Sequence, residues 1–438
     1  MITSKRRVRL LFFLTAFCST CLLRAQDPVA AETYEDPPTL NARQILLPQY
    51  LEGPQFHVEP DVPTYAGANQ YTIVSTYGTF VASGNELLIE RVREINALEK
   101  MDKIKESDEF TKALKKASAS PMVFARNLAK QPVETVTGVP KGIWRLMNRV
   151  GDGVKGAGEK IRDRDEDKPK DPYDEGVLKN AAGFPKAKRE LAKRLGVDPY
   201  TTNEVLQREM NRLAWTSVGG GSTLSLLMMP VGGAAGTALS ATYFVSDLDD
   251  DLHDLDTGEL RKRNEARLRA LGIDAEDAAA FLNSASISPT RQTAIIGSLA
   301  HLGKAQNLGG FIHLASAVDS EPDAVFFQRT AAIMAKLADD GAKIARVGVL
   351  NGIPICVTAD GSIIVAVEWD YAAWTPLGER FVNAISQPPA GQEPRPVRII
   401  LSGVASDRVH QELARRKIEL VERAVPGPLL PPPPPVGQ

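Results

Sequence analysis

Hydrophobic and polar positions keep different rhythms in different parts of this chain. Residues 10–23 form an apolar run broken only by Thr15, Ser19 and Thr20, and Lys5, Arg6, Arg7 and Arg9 precede it. A basic head followed by a short apolar run is the pattern of a secretory signal peptide. The run is shorter than the ~20 residues that cross a bilayer. Residues 1–25 are therefore expected to be a removable leader, with cleavage near Ala25 and a competing site after Ala31.

Beyond the leader, residues 26–70 carry Pro28, Pro37, Pro38, Pro48, Pro54, Pro60 and Pro63 and no helical period, which predicts an extended arm. Residues 71–83 are rich in β-branched and aromatic side chains, with Gly78 in the middle, and predict a strand pair or a bent strand. Asn85 then stands as a candidate cap. Leu88, Val92 and Ile95 follow on one helical stripe with Leu98 at its edge, while Glu90, Arg93, Glu94 and Lys100 fall off it. This pattern predicts an amphipathic helix within a strand-plus-helix unit, residues 71–158.

Residues 159–175 break the pattern: 13 of the 17 are charged, and Pro169 and Pro172 add to them. Such a stretch buries too little apolar surface to offset chain entropy, so a linker is expected over residues 159–185. Helical periods dominate residues 186–340. Asp256-Thr-Gly-Glu259, Asp274, Ser288-Pro289 and Ser320-Glu-Pro322 read as helix starts, and Gly272 as a stop.

Strand-like runs return at residues 345–350, 353–357 and 362–369, separated by the turn dipeptides Asn351-Gly352 and Asp360-Gly361. Thr375-Pro376 opens a short helix, and residues 397–401, 406–416 and 418–424 read as strand, helix and strand. The expected fold class is therefore α+β, predominantly helical. A strand-plus-helix N-terminal unit leads to a central helical domain (186–340). A C-terminal α+β domain (341–425) follows, with a β-meander and a β-α-β ending. Residues 426–438 are a proline-rich tail suited to polyproline II.

Charge narrows the partners. Loss of residues 1–25 removes five cations and no acid, moving the net charge from −2 to −7. No nucleic-acid role is expected, because such binding leans on positive charge. Cys18 and Cys21 lie in the leader, so Cys356 would stand alone and the exported chain would hold by burial without an internal disulfide. Cys356 sits in an apolar run, which reads as an inert buried thiol.

Two stretches stand out as interaction surfaces. Ile143, Met147, Val150 and Val154 form one stripe with Trp144 at its edge and Lys141, Arg145 and Arg149 beside it, the character either of a helix lying on a membrane surface or of an ordinary helix packed on its own domain. Residues 216–246 run 31 positions without a charge and place Gly232, Gly236 and Ser240 four apart, so that one helix face allows close backbone approach. Fifteen of those 31 residues are Gly, Ser or Thr, so a buried helix pair in the domain core is favoured over a membrane-inserting hairpin.

Catalytic signatures do not emerge. Gly151-Asp-Gly153-Val-Lys-Gly156 spells a dinucleotide fingerprint but lacks the preceding strand. The acidic run 247–256 misses a calcium-loop register, because with Gly258 at position six His253 and Leu255 fall where oxygen ligands are needed. His301 and His313 stand on neighbouring predicted helices; His57 and His410 have no partner in sequence. No cofactor and no metal is expected. The reading is an exported, non-enzymatic cell-envelope or secreted interaction protein, periplasmic or extracellular, whose partner is another protein or a membrane surface. Its contact residues would be Ile143, Trp144, Met147, Val150, Gly232, Gly236 and Ser240. The alternative is a hydrolase with a nonstandard, metal-dependent site drawn from Asp249, Asp251, His253, His301 and His313.

Overall fold

The computed structural model describes residues 34–118, 183–219, 252, 254–350, 352–386 and 395–431. The chain divides after Tyr34, and the architecture below is that of the unit from Glu35 onward. The leader, the 143–154 stripe, nearly all of the charged linker, and most of both the uncharged stretch and the acidic run lie outside the described residues.

The first strands use the prolines as edges and helix starts. Strands β1 (Thr39–Asn41), β2 (Glu52–Gly53), β3 (Phe56–Val58), β4 (Asp61–Tyr65), β5 (Ala68–Ser75) and β6 (Gly78–Ser83) form one antiparallel sheet centred on β5. Two single-turn helices, α1 (Ala42–Ile45) and α2 (Pro48–Leu51), sit between β1 and β2. The described part of residues 26–70 is therefore not a free arm. Pro48 starts α2, where no backbone donor is needed, and Pro63 lies in β4 opposite Thr39. Val62 and Thr64 alternate inward on either side of that proline. Residues 71–83 form a hairpin, β5 to β6, as the composition predicted.

Helix α3 (Asn85–Lys105) crosses this sheet. Leu88, Val92, Ile95 and Leu98 are buried, as their stripe required. Asn85 does not cap the helix: Gly84 holds the cap position at φ +101°, and the Asn85 side chain instead accepts from the Tyr71 hydroxyl. Helix α4 (Asp108–Ser118) and the helix pair α5 (Phe184–Leu195) and α6 (Glu204–Gly219) share an apolar cluster with the second half of α3.

The predicted helix starts in the central region are capped in the expected way. Asp256 accepts from Glu259 N at the head of α7 (Thr257–Ala270), and Gly272 at φ +76° ends it. Asp274, Ser288 and Ser320 cap α8 (Ala275–Leu282), α9 (Pro289–His301) and α11 (Glu321–Asp339), with α10 (Gly309–Ser316) between the last two. Each such cap removes an orphan backbone donor and contributes ~1 kcal/mol.

The C-terminal sheet has the order β13-β11-β9-β8-β7. Strands β7 (Ile344–Leu350), β8 (Ile353–Thr358) and β9 (Ile363–Val367) form the antiparallel meander. Helix α12 (Pro376–Ser386) then carries the chain to β11 (Val397–Leu401), which lies parallel to β9. Helix α13 (Asp407–Arg415) leads on to β13 (Glu419–Val421), parallel to β11. A short parallel pair, β10 (Tyr371–Ala372) with β12 (Val404–Ala405), sits beside them. One apolar core runs from α7–α11 into this sheet, and α11 is buried from Asp323 to Ala335. Phe311 and Phe327 meet edge to face at 5.4 Å inside it.

Candidate functional site

Helix α3 carries a second stripe beside its apolar one. Glu86, Glu90 and Glu94 recur every four residues, so their carboxylates share one face, and all three are buried. That face meets the starts of α9 and α11 and the loop 197–203, which supply arginines, hydroxyls and amides.

The first group is close to charge balance. Arg291 of α9 grips Glu90 with two bonds, Nη1 to Oε1 at 3.1 Å and Nη2 to Oε2 at 2.8 Å, and also donates to Gln328 and Glu321. Arg91 donates to Glu94 at 2.9 Å and to Glu321 at 2.6 Å. Thr201 hydrogen-bonds Glu94, Thr202 donates to Glu321, and Asn203 Nδ2 donates to Glu94. Burial opposes ionisation of Glu321, but Arg91 and Arg291 overcome it and hold its carboxyl below the usual range. Burial pushes Asp198, beside this group, up to about 6, although the Thr290 hydroxyl and the Tyr200 amide donate to it.

The second group is rich in acid. Arg329 of α11 lies 3.4 Å from Glu86 and 3.8 Å from Glu368, both measured from Nε. Asp370, two residues past Glu368, accepts from the backbone amides of Asn69 at 2.8 Å and Asn85 at 3.1 Å. It thereby caps α3 from a distant part of the chain. Burial pushes Glu86 up to about 7 against the pull of Arg329. Burial and then the Glu368 charge raise Asp370 against its two amide donors, and burial raises Glu368 as well. Strongly perturbed acids gathered in one place are the usual mark of a functional site, and structural ion networks share it.

A cleft opens onto the first group between α3, loop 197–202, Ser288 and Glu321. Its free volume of ≈ 20 Å³ accommodates a water molecule.

The predicted contact residues Ile143, Trp144, Met147, Val150, Gly232, Gly236 and Ser240 lie outside the described residues, as do Asp249, Asp251 and His253. The other two members of the hydrolase set each take a separate carboxylate. His301 Nδ1 lies 3.4 Å from Asp339, and His313 Nδ1 lies 2.8 Å from Asp277. His57 stands 3.8 Å from Glu59 and His410 3.4 Å from Glu422. Among the described residues, no three His, Cys, Asp or Glu side chains gather in a way that would hold a metal ion. Cys356 is fully buried in β8, and burial pushes its thiol up to about 12.

No known protein family, no curated protein and no solved structure matches this chain. The buried acid–arginine belt is thus described by its own chemistry. Sequence reasoning placed Glu90 and Glu94 off the apolar stripe and did not single out Glu86; the four-residue spacing puts the three on one face but does not say that the face is buried.

Proposed function

We propose that this is an exported, non-enzymatic interaction protein of the cell envelope or extracellular space, one that contacts a membrane surface through residues 138–154. A single observation carries the reading. Phe184 and Trp215 stack at 4.5 Å between ring centroids, tying the start of α5 to the last turns of α6. The start of α5 and the last turns of α6 therefore lie at one end of a packed helix pair. The stretches that adjoin this end in sequence are the two whose residues most suggest a contact surface.

Basic residues that adjoin or lie within these stretches in sequence support an anionic partner surface. Lys112, Lys115 and Lys116 of α4 are exposed just before residue 119, and Lys141, Arg145 and Arg149 flank the apolar stripe in sequence. Basic side chains beside an apolar stripe draw a helix to anionic headgroups. Gly232, Gly236 and Ser240 then offer a close-approach face for a second contact.

Co-sedimentation of the mature chain with anionic vesicles tests the proposal. The expected result is pelleting that falls at least about tenfold when Trp144→Ala and Met147→Ala are combined, a loss of about 1.4 kcal/mol. Equal, negligible pelleting of both proteins would remove the membrane contact. Mass determination of the N-terminus tests export, with loss of residues 1–25 expected.

A further inference from the structure

Three carboxylates and one guanidinium do not balance. Glu86, Glu368 and Asp370 all face Arg329 from a buried site, and their side chains come from opposite ends of the sequence. Asp370 has its donors, the amides of Asn69 and Asn85. It also sits at the start of α3, where a negative charge is favoured. Neither Glu86 nor Glu368 has such a pair of amides, and the Ser402 hydroxyl beside Glu368 donates to Trp369 O at 3.0 Å. Their approaches to Arg329 are long, and Glu86 Oε1 and Glu368 Oε2 accept no hydrogen bond among the described residues. A buried carboxylate oxygen without a donor is costly, and protonation of a carboxyl supplies a donor.

Among the described residues, the cations that face the pair are Arg329, Arg93 and Arg291. From α3 the facing groups are Glu86, Glu90 and Arg93, and the last of these lies on the half-exposed side. From α11 there is Arg329, from α9 Arg291, which Glu90 already engages, from β5 Tyr71, and beside Glu368 the Ser402 hydroxyl. Burial and the Asp370 charge hold the Tyr71 phenol well above its usual range, so it stays neutral.

We propose that the Glu86–Glu368 pair on Arg329 holds one proton in the native state, and that losing it loosens the joint Asp370 makes between the two sheets. The coupling is short. Glu86 adjoins Asn85, whose amide Asp370 receives, and Glu368 lies two residues from Asp370 itself. Asp370 also donates its own amide to Gly67 O at 2.8 Å, and its carbonyl accepts from Val404 N at 3.0 Å. One residue thus ties β5, α3 and the β12 strand together. A second full negative charge beside Arg329 would be relieved by drawing these segments apart. The device is a proton-operated joint: shut when the pair is protonated, strained when it is not.

Infrared titration of the full chain from about pH 6 to about pH 10, with amide hydrogen exchange at Asn85, tests this joint. The expected wild-type result is a protonated-carboxyl band at neutral pH that vanishes on alkalinisation. Exchange at Asn85, corrected for its intrinsic rate, should accelerate about tenfold in step. Glu368→Gln carries a permanent donor; it should lack the band and keep Asn85 protected across the range. Should that variant not fold, Glu86→Gln serves, with the same loss of the band expected. Absence of the band in the wild type, or its survival in the variant, would overturn the proposal. So would Asn85 protection that follows pH alike in wild type and variant.

Discussion

Arg291 and Glu90 stand 201 residues apart and meet through two parallel hydrogen bonds, in a position where both are almost completely buried. The pair joins the face of α3 to the first turn of α9. Because the geometry is bidentate and Gln328 and Glu321 complete the donor set, the guanidinium is held in one orientation.

Removing one partner should cost far more than removing both. Arg291→Met leaves Glu90 buried beside Glu94 and Glu321, and a loss of about 3–5 kcal/mol is expected. Adding Glu90→Leu should recover most of it. Urea unfolding of the two single variants and the double variant measures this coupling. A single-variant loss below about 1 kcal/mol would mean that the pair is hydrated and ornamental to the fold.

Gly403 should not tolerate a side chain. A Cβ at that position would lie 2.1 Å from the Asp370 carbonyl oxygen, which is backbone and cannot swing aside. Gly403→Ala is expected to destabilise by about 1–3 kcal/mol or more through forced separation of β12 from the Asp370 segment. Gly309→Ala is the contrast, since nothing lies within 4 Å of its Cβ and it begins a helix. That change should shift stability by less than about 1 kcal/mol. Equal thermal midpoints for the two variants would contradict the close approach.

Stability should be greatest in mildly acidic solution and fall as pH rises. Asp198 and Glu86 are pushed up to about 6 and 7, and burial raises Glu368 as well, so from about pH 4 to about pH 7 the native state binds protons that the unfolded chain has released. Their stabilising contribution is complete below the unfolded values and lost as pH passes the folded ones. Glu321 has the opposite sign: its lowered value costs stability only as pH falls through it. A thermal midpoint that rises steadily from pH 5 to pH 9 would refute this ordering.

Cys356 should resist thiol reagents until the protein unfolds. It is fully buried, and burial pushes its thiol up to about 12, so almost none is present as the reactive thiolate. With the leader removed, one thiol should react in denaturant and none in buffer. Rapid labelling of the native chain would show that β8 opens.

Local chemistry carried much of the architecture. The caps at Asp256, Asp274, Ser288 and Ser320 and the stop at Gly272 act within one helical turn, and sequence neighbours suffice to identify them. The meander and the β-α-β ending were legible for the same reason, because β-branched runs alternate with the turn residues around Gly352 and Gly361. The prolines before residue 64 misled, since a proline at a strand edge or helix start looks in sequence like one in a free arm.

What the chain decided alone was the capped starts of the central helices, the C-terminal meander with its β-α-β ending, and that Leu88, Val92 and Ile95 face inward. What only the tertiary structure decided was the fate of Glu86, Glu90 and Glu94. A charged helix face is solvated or buried according to what is packed against it. Here the partners, Arg291 and Arg329, stand more than 200 positions further along the chain. Desolvation and long-range pairing depend on that meeting, and no periodicity within α3 encodes it.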